Sequence, residues 1–384
     1  MDVGVVARLA NPKQAHKLPV MPGFRQRFTR VRVAVLVSFA AVMAMAWWLW
    51  PGALNQGMRP KPDDGQKLLQ LTQQLVLAQE GNAARTALAG LRSELSRLPP
   101  AQAVDFLRAQ LASGRDGRTG LGFKLAADGS LAEAPTLRTA LLDFLTAIDA
   151  SSAAAVAEEI FRVKASPDEW ALALRAVALG NTPATGSQSL TDRTREMLRH
   201  EPWRENPSVG FLEAFDVVVF NRDTALVGDL ARWVSDSTNR AVAHASFLTL
   251  DRLVMGEPAG ALEALLRESV SFSGREATLA GYFARGDVSE PKIRRLVESY
   301  LLAANRAEEE LRAFAGLFPN RNYFISNNLL TKNATPDGKT LVAQDRAALR
   351  VVEEWARDPK FAEIRPHIES MRARLAEFVR AAGP

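Results

Sequence analysis

Eighteen consecutive residues without a charge, Val33 to Trp50 (VAVLVSFAAVMAMAWWLW), constrain this chain more than any other feature. Taken from Val31 to Trp50, the segment has about the 20 residues that a helix needs to cross a bilayer core. A helix satisfies its own backbone hydrogen bonds, so an apolar one sits in lipid without stranding polar groups. Arg25, Arg27, Arg30 and Arg32 stand in front of it, and Trp47, Trp48 and Trp50 close its far end. Basic flanks are retained in the cytoplasm, and Trp rings prefer the boundary between acyl chains and water. The segment therefore reads as a single-pass anchor with its N-terminus in the cytoplasm and the bulk of the chain outside. Membrane lipid is the first expected partner, through residues 31–50. The competing reading is a signal peptide cleaved after Ala46, since Ala44-Met45-Ala46 has the small-x-small form. The mature chain would then begin with two tryptophans, behind an unusually long basic segment.

The net charge of +5 invites a nucleic-acid reading, and its distribution argues against one. Arg8, Lys13, Lys17, Arg25, Arg27, Arg30 and Arg32 precede the anchor against Asp2 alone. Everything after Arg32 is close to neutral, so the basicity belongs to a membrane-flanking tail that suits anionic lipid headgroups. No basic cluster with interleaved aromatics follows, so no nucleic-acid partner is expected. The 384 residues hold no cysteine, which excludes disulfides, thiolate metal ligands and Cys nucleophiles.

Four segments follow from the pattern. Residues 1–30 are a basic cytoplasmic tail and residues 31–50 the anchor. Residues 51–65 (PGALNQGMRPKPDDG) are a Pro/Gly-rich linker. Residues 66–384 are an extracytoplasmic, all-α domain. Leu68, Leu71, Leu75, then Leu88, Leu91, Leu95 and Leu98, recur at helical spacing until Pro99-Pro100 interrupts them. Start signals recur further on: the capping box Ser166-Pro167-Asp168-Glu169, then Asn206-Pro207, Asp223, Ser237, Glu257-Pro258, Ser273 and Asp287 to Glu290. Paired helices at that spacing make hairpins of about 30–40 residues, the size of an α-solenoid repeat. The expectation is an array of stacked helical hairpins, with an irregular bundle as the alternative.

One stretch breaks the helical period. Ser113 to Glu133 carries glycines at 114, 117, 120, 122 and 129. Asp128-Gly129 between Phe123-Lys124-Leu125 and Ser130-Leu131 is a tight-turn signal, so a short β-hairpin or loop insertion is expected near 113–133. Further on, Asn320 to Asn328 (NRNYFISNN) is polar and aromatic. It reads as a capped turn between helices, with a groove lining as the alternative.

Motifs for chemistry are sparse. Gly117 and Gly122 have phosphate-loop spacing, but Lys124 is displaced and no hydroxyl follows it. Gly338-Lys339-Thr340 ends correctly, but Asn333 stands where the first glycine belongs. His16, His200, His244 and His367 are not paired at ligand spacing, and no metal or other cofactor is expected. Glu363 and His367 lie one turn apart with Pro366 between them. His244, Ser246 and Asp251 share one helix, but residues 244 and 246 point apart.

Glu298-Ser299-Tyr300 with Gly316-Leu317-Phe318-Pro319 downstream resembles the lysozyme-like lytic transglycosylases. Their catalytic Glu is followed by Ser and later by Gly-Leu-Met-Gln. The resemblance implies a general-acid role for Glu298. Phe318 and Pro319 replace the Met and Gln, and no later Asn…Gly-x-x-Tyr element follows.

The leading expectation is a protein-interaction scaffold in a bacterial inner membrane, N-terminus inside, with a periplasmic helical-repeat domain. Cleavage of cell-wall glycan through Glu298 is the alternative.

Overall fold

The computed structural model describes residues 62–382, apart from 79, 165, 181, 182, 237, 305 and 334. The anchor at 31–50, with Arg30, Arg32, Trp47, Trp48 and Trp50, lies outside the described residues. Among those described, no helix is long and apolar enough to cross a membrane.

The chain is all-helical apart from one small hairpin. Three helices open it, α1 (Pro62–Leu77), α2 (Gly81–Arg97) and α3 (Pro100–Ala112). Strands β1 (Lys124–Leu125) and β2 (Leu131–Glu133) follow. The middle of the chain holds α4 (Leu137–Ile148), α5 (Ala150–Val163), α6 (Pro167–Gly180), α7 (Pro183–Arg199), α8 (Glu201–Glu205), α9 (Val209–Glu213) and α10 (Phe215–Asn221). Helices α11 (Val227–Ser235), α12 (Arg240–Gly256), α13 (Pro258–Arg267), α14 (Glu276–Phe283), α15 (Pro291–Leu301), α16 (Glu308–Leu317), α17 (Gly338–Arg357) and α18 (Arg365–Ala381) complete it. Helix α1 begins at Pro62, inside the segment read from sequence as linker.

Helices pack on sequence neighbours and on the next helix but one. From α4 onward this makes two rows. The first row runs α4, α6, α9–α10, α12, α14, α16 and α18, each touching the next. The second includes α5, α7, α11, α13, α15 and α17, lying against the first. Most helices carry a polar and an apolar face, while α4 and α6 are buried nearly all round, so burial of apolar surface holds the rows together. A fully buried Leu or Phe contributes about 1.5–3 kcal/mol.

Large rings fill the seams. Trp170 of α6 lies between Phe161 and Trp203, both edge-on, at 4.9 and 5.4 Å between centroids. Toward the C-terminus Phe283 stacks on Tyr300 at 4.0 Å. The series continues through Phe314, Phe318, Trp355 and Phe361. It joins α14 through α17 into one buried stack.

Local signals explain most boundaries. Pro167 opens α6, and Ser166 Oγ accepts from the Glu169 amide at 3.4 Å. The Glu169 side chain does not close the expected capping box; it pairs with Arg138 of α4 at 3.0 Å. Asn206 ends α8 instead of starting a helix, and Ser208 caps α9 two residues later. Asn239 caps α12, and Ser237 lies outside the described residues.

Strands β1 and β2 pair antiparallel, with Lys124 opposite Glu133 and Leu125 opposite Leu131. Asp128 Oδ1 accepts from the Ser130 amide at 3.0 Å, and Gly129 takes a left-handed φ of 81°. Residues 320–328 are not a turn. From Pro319 to Asp337 the chain runs without helix or strand, back across the first row toward the hairpin.

Candidate functional site

The face of the first row carries lone charges inside apolar helix sequences, and they pair between successive helices of that row. Asp143 of α4 meets Arg175 of α6 at 2.6 Å, 32 residues apart. Asp216 of α10 meets Arg252 of α12 at 2.8 Å. Asp251 of α12 meets Arg285, which follows α14, 34 residues on. All three carboxylates are buried. Burial raises the Asp143 and Asp251 carboxyls, and the guanidinium beside each opposes that rise.

Two of these pairs hold the backbone of the non-helical segment 319–337. At the hairpin, Arg92 of α2 donates to the Leu131 carbonyl at 2.8 Å. In the segment 319–337, one oxygen of Asp216 accepts from the Leu330 amide at 2.6 Å and the Thr331 amide at 2.9 Å. Its other oxygen accepts from the Thr331 hydroxyl, to which Arg252 also donates. Arg285 donates to the Asn322 carbonyl. The chemistry is general for peptide: carboxylates take N–H groups and guanidiniums take carbonyls.

Residues 319–333 thus form a strap over the first row. Asn320 bonds to Gly281 and Ala284 at the end of α14. Phe324 meets the edge of Phe247 on α12. Thr331 reaches Asp216, and Asn327 Nδ2 donates to the Leu125 carbonyl of β1 at 2.8 Å, across 202 residues of sequence. Leu329 is buried and its carbonyl abuts Gly129 of the hairpin. Phe324 and Ile325 remain 46 % and 78 % exposed.

Glu213, at the end of α9, has its carboxyl pushed up to about 7, first by burial and then by the charge of Asp216. Arg252 opposes the shift. It is the most perturbed carboxyl near the strap, and no sequence motif marked it.

Glu298 stands elsewhere. It accepts from Arg294 at 2.9 Å, from Trp355 Nε1 at 2.7 Å and from Lys360 at 3.0 Å. Burial raises its carboxyl, but these three donors together outweigh that and hold it below the ordinary range. A general acid needs the opposite, a carboxyl kept protonated by an apolar pocket. The Arg294 contact expected from helical spacing is present, and the side chain ties α15 to α17 and the turn at Pro359–Phe361.

The remaining sequence candidates do not converge. His367 meets Glu308 at 3.1 Å. His244 stacks on Phe247, while Asp251 turns to Arg285. Among the described residues, no group of three or more His, Asp or Glu could hold a metal ion. Gly117 packs against Val76, away from any phosphate-binding arrangement. A cleft of about 870 Å³ lies between α3 and α5, lined by Ala109, Val156 and Ile160 and by Asp105, Arg108 and Glu159.

No family model, no curated protein and no solved structure matches this chain. The site is therefore argued from geometry alone. Asp143, Arg175, Asp216, Arg252 and Arg285 belong to no motif that the sequence reading singled out. For Asp143, Arg175 and Asp216 the one sequence signal is a lone charge inside an apolar run, as in Leu141-Leu142-Asp143-Phe144 and Phe215-Asp216-Val217-Val218.

Proposed function

We propose that this protein is a membrane-anchored, extracytoplasmic α-solenoid that scaffolds protein partners. Residues 31–50 anchor it in a bacterial inner membrane with the N-terminus in the cytoplasm. The carrying observation is that the first row binds chain backbone at two separate places, Leu330–Thr331 on Asp216 and Asn322 on Arg285. A face built from stacked helices offers many such positions in series, which suits extended protein ligands. Paired charges on that face restrict it to hydrogen-bonding partners and exclude purely apolar ones.

Two experiments test the reading. Protease added to spheroplasts should digest residues beyond Pro51 and spare the basic tail; protection of the helical domain would overturn the topology. Photo-crosslinkers placed at exposed first-row positions of the full chain, in its native membrane, should capture a reproducible protein partner. Crosslinking to lipid alone, or at random, would overturn the scaffold.

A further inference from the structure

The strap is the part of this molecule whose chemistry is least accounted for by packing. Only Asn328 and Leu329 of its residues are buried. At its Asp216 end it is held mainly through backbone. Asp216 takes two successive amides and a hydroxyl, all from Leu330 and Thr331. Arg252 reaches both that carboxylate and the same hydroxyl. At this end side-chain identity enters through an apolar residue at 329 and a hydroxyl at 331, beside the Asn328 amide that bonds back to the Thr331 carbonyl. That is a recognition pattern for a class of peptides, and this chain's own sequence is one member of the class.

A second observation points to a ligand beyond the strap. Asp251 adjoins Arg252, and its side chain is almost wholly buried. Its Oδ1 is taken by Arg285, while its Oδ2 has no hydrogen-bond partner. Buried acceptors are ordinarily hydrogen-bonded, so one left open calls for a partner. The strap satisfies Asp216 fully and leaves this acceptor empty.

We propose that Asp216, Arg252, Asp251 and Arg285 form a binding track for an extended peptide segment of a partner protein. The segment carries two adjacent apolar residues followed by Ser or Thr, and Asn328 to Thr331 fill the track in cis. This rests on the scaffold reading and names its partner class. The strap is tethered at both ends, so its effective concentration at the track is in the millimolar range. A partner peptide must outcompete that, and the unaltered chain therefore binds such peptides weakly.

The test uses the full-length chain in detergent micelles and a fluorescently labelled peptide with the sequence Asn322–Asn333. Anisotropy is measured for three proteins: the unaltered chain, Leu329→Ser, and Leu329→Ser combined with Asp216→Asn. Leu329→Ser should bind the peptide roughly tenfold more tightly than the unaltered chain, and adding Asp216→Asn should remove roughly that gain. A peptide with Val in place of the threonine, and a scrambled peptide, should bind more weakly. Equal binding of the scrambled peptide, or no gain in a Leu329→Ser protein of unchanged helical content, overturns the track. Dimerisation of Leu329→Ser without peptide binding would give the track to a second copy, and overturns the partner peptide.

If Leu329→Ser does not fold, hydrogen exchange on the unaltered chain decides. The Leu330 and Thr331 amides should exchange well before those of Val217 and Val218; exchange together with that core overturns the proposal. Asp216→Asn separates this inference from the scaffold itself. Partner crosslinks that persist in Asp216→Asn would sink the track and leave the scaffold standing.

Discussion

Glu213 sits half-buried one turn before Asp216, and its folded pKa of about 7 lies above the ordinary value of 4.5. The unfolded chain therefore releases this proton at lower pH than the folded one. Stability is unaffected below about pH 4.5, falls as pH rises from there to about 7, and is level beyond. Glu213→Gln should remove that fall, leaving the variant about 1–3 kcal/mol more stable than the unaltered chain at pH 8 and no different at pH 4. Urea midpoints across that range check it; parallel curves for the two proteins would show that the carboxyl is solvated.

Gly129 gives a second residue-scale expectation. Its φ of 81° is left-handed, and an added Cβ would stand 2.5 Å from the Leu329 carbonyl oxygen. Gly129→Ala should cost about 1–3 kcal/mol through strain and loss of strap contact. Gly256→Ala, where a Cβ meets nothing within 4 Å, should be neutral or slightly stabilising. Thermal melts of the pair distinguish the two. The Asp128-Gly129 turn was legible in the sequence because turn chemistry is local. The partners of Asp216 and Asp251 were not. A lone Asp in an apolar helix announces a buried polar contact, but its partner lies a whole hairpin away, and no local pattern encodes that distance.

Between elements, the ion pairs act as ties whose loss is asymmetric. Asp143 and Arg175 join α4 to α6 with both side chains buried. Arg175→Met alone should cost about 3–5 kcal/mol, because it leaves Asp143 uncompensated. Asp143→Leu with Arg175→Met should recover part of that loss. Chemical denaturation of the two variants measures the difference; equal losses would mean the pair acts independently.

Glu298 is a tie of the other sign. Its folded carboxyl is held below the ordinary range, so the stability it contributes is present above about pH 4.5 and is lost as pH falls through its folded pKa. Glu298→Gln should be less stable than the unaltered chain at neutral pH, and the gap should close under acid. Helices themselves were readable from sequence because proline, capping residues and apolar period act within one turn. At Asn206 the expected start gave way to a better cap, Ser208, two residues further on. Glu169 slipped for a different reason: a tertiary ion pair outbid a local capping box.

Across the molecule, stacked helices that touch only near neighbours gain stability piecewise, and such arrays unfold in parts once their coupling weakens. The strap opposes this. It fastens the end of α14 to α10 and to the hairpin on α4, joining regions that the two rows connect only through a series of intermediate helices. Nothing in the segment NRNYFISNN signalled that role, because its partners lie tens of residues away or more, and many of the contacts join a side chain to backbone, which carries no sequence signature. A polar, aromatic, helix-poor stretch looks the same whether it turns in place or crosses the whole row. The coupling has a measurable consequence. Calorimetry of the unaltered chain should show the helical domain unfolding as one cooperative transition. Thr331→Val removes the hydroxyl shared by Asp216 and Arg252, and with Asn327→Ala it loosens the strap at both the row and β1. That double variant should keep its helical content but unfold in two separated transitions, the C-terminal helices from α14 onward and the N-terminal ones independently. A single transition shifted to lower temperature would mean that the helix rows alone carry the cooperativity, and that the strap merely rests on them.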